Sequence, residues 1–141
     1  MKREYPDSPL IGAGAIIVAD GRVLLVKRGR PPLVGEWSIP GGVLELGETV
    51  REAAVREARE ETCLTVEPTE LLGVYDRILR DDEGRILYHF VLIDFLCRPV
   101  AGKAQAADDA DEVRWFTPAE AGQLGLAEDT AEVVQLGFQK S

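Results

Sequence analysis

Histidine is almost absent from this chain: His89 is the single one in 141 residues. That excludes sites built on several imidazoles, the usual catalytic zinc sets among them. The two cysteines, Cys63 and Cys97, are too few for a disulfide framework and lack the CxxC spacing of a zinc or redox site. They read as free thiols, and any metal bound here has to be held by oxygen. Apolar runs are short; Leu10 to Ala19 and Val91 to Leu96 are the nearest approach to one, far below membrane-spanning length. Positive charge is scarce as well. Sixteen Lys and Arg against 25 Asp and Glu leave a net charge of −9, which makes a nucleic-acid polymer a poor partner because phosphate neutralisation needs a basic surface. A small anionic ligand stays compatible, since a bound divalent cation reverses the local sign of a site. The opening Met-Lys-Arg-Glu-Tyr-Pro lacks the apolar stretch and small-residue cleavage site of a secretory signal, so the expected compartment is the cytoplasm.

What is present suits one globular domain over residues 1–141, with 45% hydrophobic and 29% charged residues. Leu10 to Ala19 and Val23 to Val26 flank Asp20-Gly21, a strong hairpin signal. A loop with Gly29, Pro31 and Pro32 leads to a short strand at Trp37 and a turn at Pro40-Gly41-Gly42. Glu48 to Thr62 has no Gly or Pro and is rich in Ala, Glu and Arg, which predicts a helix. Leu64 to Val66 and Leu71 to Ile78 read as strand material around Pro68, and Asp81-Asp82-Glu83-Gly84 is a turn before the strand Ile86 to Cys97. An exposed loop from Pro99 to Asp109 precedes a short strand, Val113 to Phe116. Thr117-Pro118-Ala119-Glu120 has the form of a helix start, and a last helix covers Glu128 to Leu136 with Gly137 ending it.

The Glu48 to Thr62 helix carries an anomaly. At about 100° per residue, Val50, Ala53, Ala54 and Ala58 share a face that must pack on the sheet, and Glu57 and Glu61 fall within it, roughly 20° either side of Val50. Glu60 lies at its edge. Ionised carboxylates on a packed face cost several kcal/mol each, a cost of order ~5 kcal/mol, unless paired or bound to a cation. Pairs of Arg56 with Glu52 or Glu60 at four-residue spacing are ordinary, but one arginine cannot neutralise three acids at i, i+3 and i+4. Hard divalent cations want several oxygen ligands at close range, so magnesium or manganese is the expected ion. The loop Pro40 to Glu48, with Gly41, Gly42 and Gly47, runs into this helix and forms a plausible wall of a metal and phosphate site.

Together these residues resemble the signature of the Nudix hydrolases, Gly-x5-Glu-x7-Arg-Glu-U-x-Glu-Glu-x-Gly-U with U apolar. Here it runs from Gly42 through Glu48, Arg56, Glu57, Ala58, Glu60 and Glu61 to Leu64, and every charged position of the 23-residue box is met. The approach Gly35-Glu36-Trp37-Ser38-Ile39-Pro40 is also similar to that of many members. The resemblance implies an α/β fold, an α/β/α sandwich around a mixed β-sheet. It also implies magnesium- or manganese-dependent hydrolysis of a nucleoside diphosphate linked to a further moiety. Glu57, Glu60 and Glu61 would hold the cations, with Gly42 and Glu45 of the loop adding to the set, and Arg56 would orient the acids. Glu48 would support the loop near the substrate, and Asp109, six residues before Trp115, is the candidate general base beside Glu57. Arg28 is the candidate phosphate fork and Trp37 a candidate stacking surface for a base.

Small bacterial ADP-ribose pyrophosphatase-like members are the nearest in overall look, which puts ADP-ribose or a related sugar nucleotide first. The proline that many ADP-ribose enzymes carry some fifteen residues after the box is replaced here by Leu79 and Arg80. Hydrolysis of a nucleoside triphosphate, oxidised dGTP included, and a Nudix-like module that binds a nucleotide without cutting it are the alternatives. A prenyl diphosphate isomerase would need a catalytic cysteine and metal histidines that this chain does not offer. Partners are thus a small-molecule nucleotide, with no nucleic acid and no membrane and with a homodimer left open. The glycine expected near the end of the box is Cys63, which reads as a packing residue at a left-handed helix cap.

Overall fold

A computed structural model describes residues 2–141 of the chain. The elements follow in the order β1 (Leu10–Ala19), β2 (Arg22–Arg28), β3 (Trp37–Ser38), β4 (Gly41–Val43), α1 (Val50–Thr62), β5 (Thr65–Arg80), β6 (Ile86–Ala101), β7 (Ala110–Phe116), α2 (Pro118–Ala121) and α3 (Glu128–Lys140). One sheet has the strand order β3-β2-β1-β6-β5, with β4 also bonded to β1 and β7 to β2. β1 runs parallel to β6 and antiparallel to β2 and β4, so the sheet is mixed. No helix among the described residues is long and apolar enough to cross a membrane.

The central strand is apolar on both faces, and alternation assigns each face to its own core. Ala13, Ala15 and Ile17 pack with Leu24, Phe95 and Cys97 beneath Ala53, Ala54 and Ala58 of α1. On the other face Ile16 joins Val23, Leu25, Leu96 and Phe116 with Val133 and Val134 of α3 and Ala121 of α2. The expected α/β/α layering is therefore realised. Alanine meets alanine across the α1 interface, and helix-to-sheet spacing is set by side-chain size at the contact. This brings α1 down onto the sheet beside β4.

Local signals account for most boundaries. Asp20 and Gly21 both have positive φ, 52° and 73°, as a two-residue hairpin of the twist-matched kind requires. Thr49 caps α1 through a reciprocal capping box with Glu52. Helix α1 therefore begins two residues later than its composition suggests, and Glu52 is spent on the cap rather than on Arg56. Thr117 and Glu120 make the same box for α2.

Several segments differ from the sequence reading. Gly41 to Val43 is a strand, not a turn, and Gly41 and Gly42 serve close approach rather than positive φ: a Cβ on Gly41 would sit 2.7 Å from Ala13 O. β5 is one continuous strand through Pro68, which is tolerated because β5 is at the sheet edge and the register shifts there. β6 continues to Ala101 and β7 starts at Ala110, shortening the expected loop. Gly137 does not end α3; it is buried within it, where a Cβ would stand 2.5 Å from Ile16 Cγ2. Cys63 occupies the left-handed cap as expected, φ 64°, but its side chain is exposed rather than packed.

Because a non-glycine residue in that region carries roughly 1–2 kcal/mol of strain, Cys63→Gly should raise stability by about 1 kcal/mol. An unchanged or lower urea midpoint would contradict this.

Candidate functional site

The acids of α1 meet β4 at one mouth of a cavity of about 480 Å³. Glu61 is buried, 5% exposed, and its Oε1 accepts the Gly41 N–H at 2.8 Å. Glu57 lies beneath Gly42, where a Cβ would fall 2.4 Å from the Glu57 carboxyl carbon, so only glycine leaves that carboxylate in place. Glu60 and Glu45 are exposed but border the same cavity.

Arg56 holds this array together. Its Nε and Nη2 donate to both oxygens of Glu48 at 2.7 and 2.9 Å, and Nη2 also reaches Val43 O at 3.1 Å. Nη1 donates to Glu57 Oε1 at 2.7 Å and Glu60 Oε2 at 3.3 Å, with Glu45 at 3.8 Å. The planar guanidinium spreads its donors in a fixed fork, which is why one side chain can position several acids. Hydrogen bonds donated to Glu48 above all, opposed by burial, push the Arg56 pKa up. The same contact, offset in part by burial, holds Glu48 below the usual carboxylate range.

Glu57 and Glu61 are shifted the other way. Burial raises the Glu57 pKa against the pull of Arg56. Glu61 has no arginine of its own, and burial pushes it up to about 8; the Gly41 N–H lowers it, Glu57 raises it and Arg28 lowers it. An acid buried this far without a cationic partner is costly. Its donor chemistry, hard oxygen with hard oxygen beside it, suits magnesium or manganese. Among the described residues no three acidic, histidine or cysteine side chains already converge as a cage, because Arg56 draws Glu57 and Glu60 aside and Glu61 turns to Gly41.

The rest of the cavity wall comes from distant strands and loops. Arg28, at the end of β2, is half-buried, donates Nε to Pro32 O at 2.6 Å and has its pKa lowered by desolvation. Asp109 precedes β7 and pairs with Arg30 at 2.7 Å. Both line the cavity, as does Asp108. Two expected positions do not. Glu48 lies outside the lining, with both oxygens taken by Arg56 and Oε1 also accepting the Glu45 N–H, so it ties the loop to the helix. Trp37 is half-buried, packs at a steep angle against Phe116, centroids 5.0 Å apart, carries Arg114 over its ring and does not line the cavity.

Other wall residues escaped the sequence reading: Arg77 of β5, Asp94 of β6, and Asp129 and Thr130 at the start of α3. Arg77 Nη2 donates to Asp129 Oδ1 at 2.5 Å and to Thr130 Oγ1 at 3.2 Å. Asp94 did leave a signal, an acid inside the apolar run Val91 to Leu96. Arg77 and Asp129 are 52 positions apart and have no such signature.

The NUDIX domain model matches residues 9–136. The chain belongs to the Nudix family. It is 42% identical over 108 residues to a protein of Methanocaldococcus jannaschii named ADP-ribose pyrophosphatase, covering 77% of this chain and 62% of that one. It is 37% identical over 111 residues to a MutT-like protein of Streptomyces ambofaciens, covering 79% and 65%. The chain thus spans somewhat less than two thirds of these curated relatives. Among solved structures, the MutT Nudix hydrolase of Burkholderia pseudomallei superposes with a TM-score of 0.79 at 32% identity, covering 92% of this chain and 98% of that one.

Arg56→Met should lower stability by about 2 kcal/mol or more, because part-buried Glu48 and Glu57 would lose their counter-charge. Urea unfolding at pH 7 measures this, and a loss below ~0.5 kcal/mol would show that the fold does not lean on Arg56.

Proposed function

We propose that this Nudix protein hydrolyses a diphosphate bond in a nucleoside diphosphate linked to another moiety, with ADP-ribose or a related sugar nucleotide as substrate and magnesium or manganese as cofactor. The observation that carries the reading is the placement of buried Glu61 against Gly41 and half-buried Glu57 beneath Gly42, at the mouth of a cavity that also presents Arg28. The name of the Methanocaldococcus jannaschii relative supports the choice of substrate. A nucleoside triphosphate is the second reading, favoured by Leu79 and Arg80 standing where many ADP-ribose enzymes carry proline.

Glu57 and Glu61 would hold the cation, with Glu60 and Glu45 at the rim and Gly42 leaving room for Glu57. When bound, the cation supplies Lewis acidity at the phosphoryl oxygens and a lowered pKa for water. Arg28 binds and orients the diphosphate through N–H groups not used on Pro32. Water attacks one phosphorus, the bridging oxygen leaves with its electron pair, and the water proton passes to Asp109. Arg30 beside Asp109 holds that carboxylate in position. Arg56 acts through Glu57 and Glu60 and is a positioning residue.

Glu57→Gln and Glu61→Gln should each cut hydrolysis at least ~100-fold with the circular dichroism spectrum unchanged, because an amide cannot replace an anionic ligand on a hard cation. Near-normal turnover of both at limiting magnesium would refute the assignment. Asp109→Asn should lower kcat by ~100-fold or more with KM nearly constant; a rise in KM alone would make Asp109 a binding residue. A panel of sugar nucleotides and nucleoside triphosphates, read by the phosphate species released, decides between the two substrate readings.

A further inference from the structure

Asp94 is the least explained group in the cavity. It lies in the middle of β6 and is 4% exposed, in a setting where strands disfavour Asp. Ile93 and Phe95 on either side of it pack under α1, so Asp94 points to the opposite face, toward α3. Its partners across the sheet are Gly14 on β1 and Gly73 on β5. Neither offers a side chain, and a Cβ on Gly14 would come within 2.4 Å of Asp94 Oδ1. Two glycines thus flank one buried acid, and its carboxyl group occupies the place a side chain at Gly14 would take.

The Tyr75 ring stands over Gly73 and Ile39 over Gly14, and the open side of the Asp94 carboxyl group faces the cavity. No donor among the described residues reaches the Asp94 carboxyl group, whereas Arg77, the nearest cation acting on it, is committed to Asp129 and Thr130. No side-chain oxygen that lacks a partner is sealed from solvent, so the carboxyl oxygens are open to the cavity that Asp94 lines. Buried polar groups are nearly always satisfied, and one left open toward a cavity awaits a ligand. Phosphate does not suit it, because Asp94 and Asp129 would repel an anion. Around it Ile39, Phe90 and Leu92 line the cavity, an apolar surround that suits a flat ring carrying a hydrogen-bond donor.

We propose that Asp94 is a specificity-determining residue whose carboxyl group accepts a hydrogen bond from the exocyclic amine of the substrate's nucleobase. This rests on the nucleotide reading above and deepens it: the diphosphate lies at α1 and the base is read on the α3 side of the sheet. Burial pushes the Asp94 pKa up to about 7, with Asp129 raising it and Arg77 lowering it. In either protonation state one oxygen remains an acceptor.

The test compares ADP-ribose with its analogue bearing unsubstituted purine in place of adenine, by kcat/KM with magnesium. In parallel, metal-free calorimetry compares the corresponding nucleoside monophosphates. Wild type should prefer the amine-bearing compound by ~10-fold or more in both assays, since a buried acceptor left unpaired is penalised. Asp94→Leu should reduce the preference to under ~2-fold, and Asp94→Asn, which keeps a carbonyl acceptor, should retain part of it. If wild type binds and cleaves both compounds equally, the proposal fails and the hydrolase reading stands, whether or not the leucine variant folds. If Asp94→Leu folds and keeps the full preference, the amine is read elsewhere. If wild type neither binds nor cleaves any nucleotide of the panel, both readings fall together.

Discussion

The guanidinium of Arg56 gathers Glu48, Glu57 and Glu60 around one plane, with Glu45 at the edge. The site depends on this gathering. Four carboxylates so near one another would repel and spread into solvent without a central cation. Arg56 also donates to Val43 O, which ties the acids of α1 to the end of β4. One fork therefore sets two distances, between helix and sheet and between carboxylates. Glu61 stands outside its reach, held by a backbone N–H alone. That leaves a buried acid with no cationic partner at the place where the proposed cation would bind.

Small residues make the arrangement sterically available. Ala53, Ala54 and Ala58 bring α1 close to Ala13 and Ala15, and Gly41 and Gly42 let β4 pass between strand and carboxylate. On the far side, Gly14 makes room for the Asp94 carboxyl group and Gly73 for the Tyr75 ring. The cavity is thus defined by side chains that are missing as much as by those that line it.

Much of this was legible before any coordinates. The inward placement of Glu57 and Glu61 followed from helical period alone, and the left-handed cap falls at Cys63, where the short-range pattern put it. The reading failed where a local pattern has two tertiary outcomes. Gly41-Gly42 reads equally as a turn or as a strand in close contact, and only its pairing with β1 decides. Gly137 reads as a helix end, but within α3 it is the residue that lets Ile16 approach. Trp37 suits either a base or a core, and Phe116 claims it.

The linear order of residues determined the helix, its acid spacing, the oxygen-only character of any metal site and the mixed α/β architecture, because each rests on contacts within a few positions or on composition. Tertiary structure alone decided that Glu48 serves Arg56 and not the cavity, that Arg77 joins Asp129, and that Asp94 faces an open space. Those outcomes depend on strand register, where a one-residue slip turns every side chain to the other face. Register is set by the whole packed sheet, so no short window of sequence contains it.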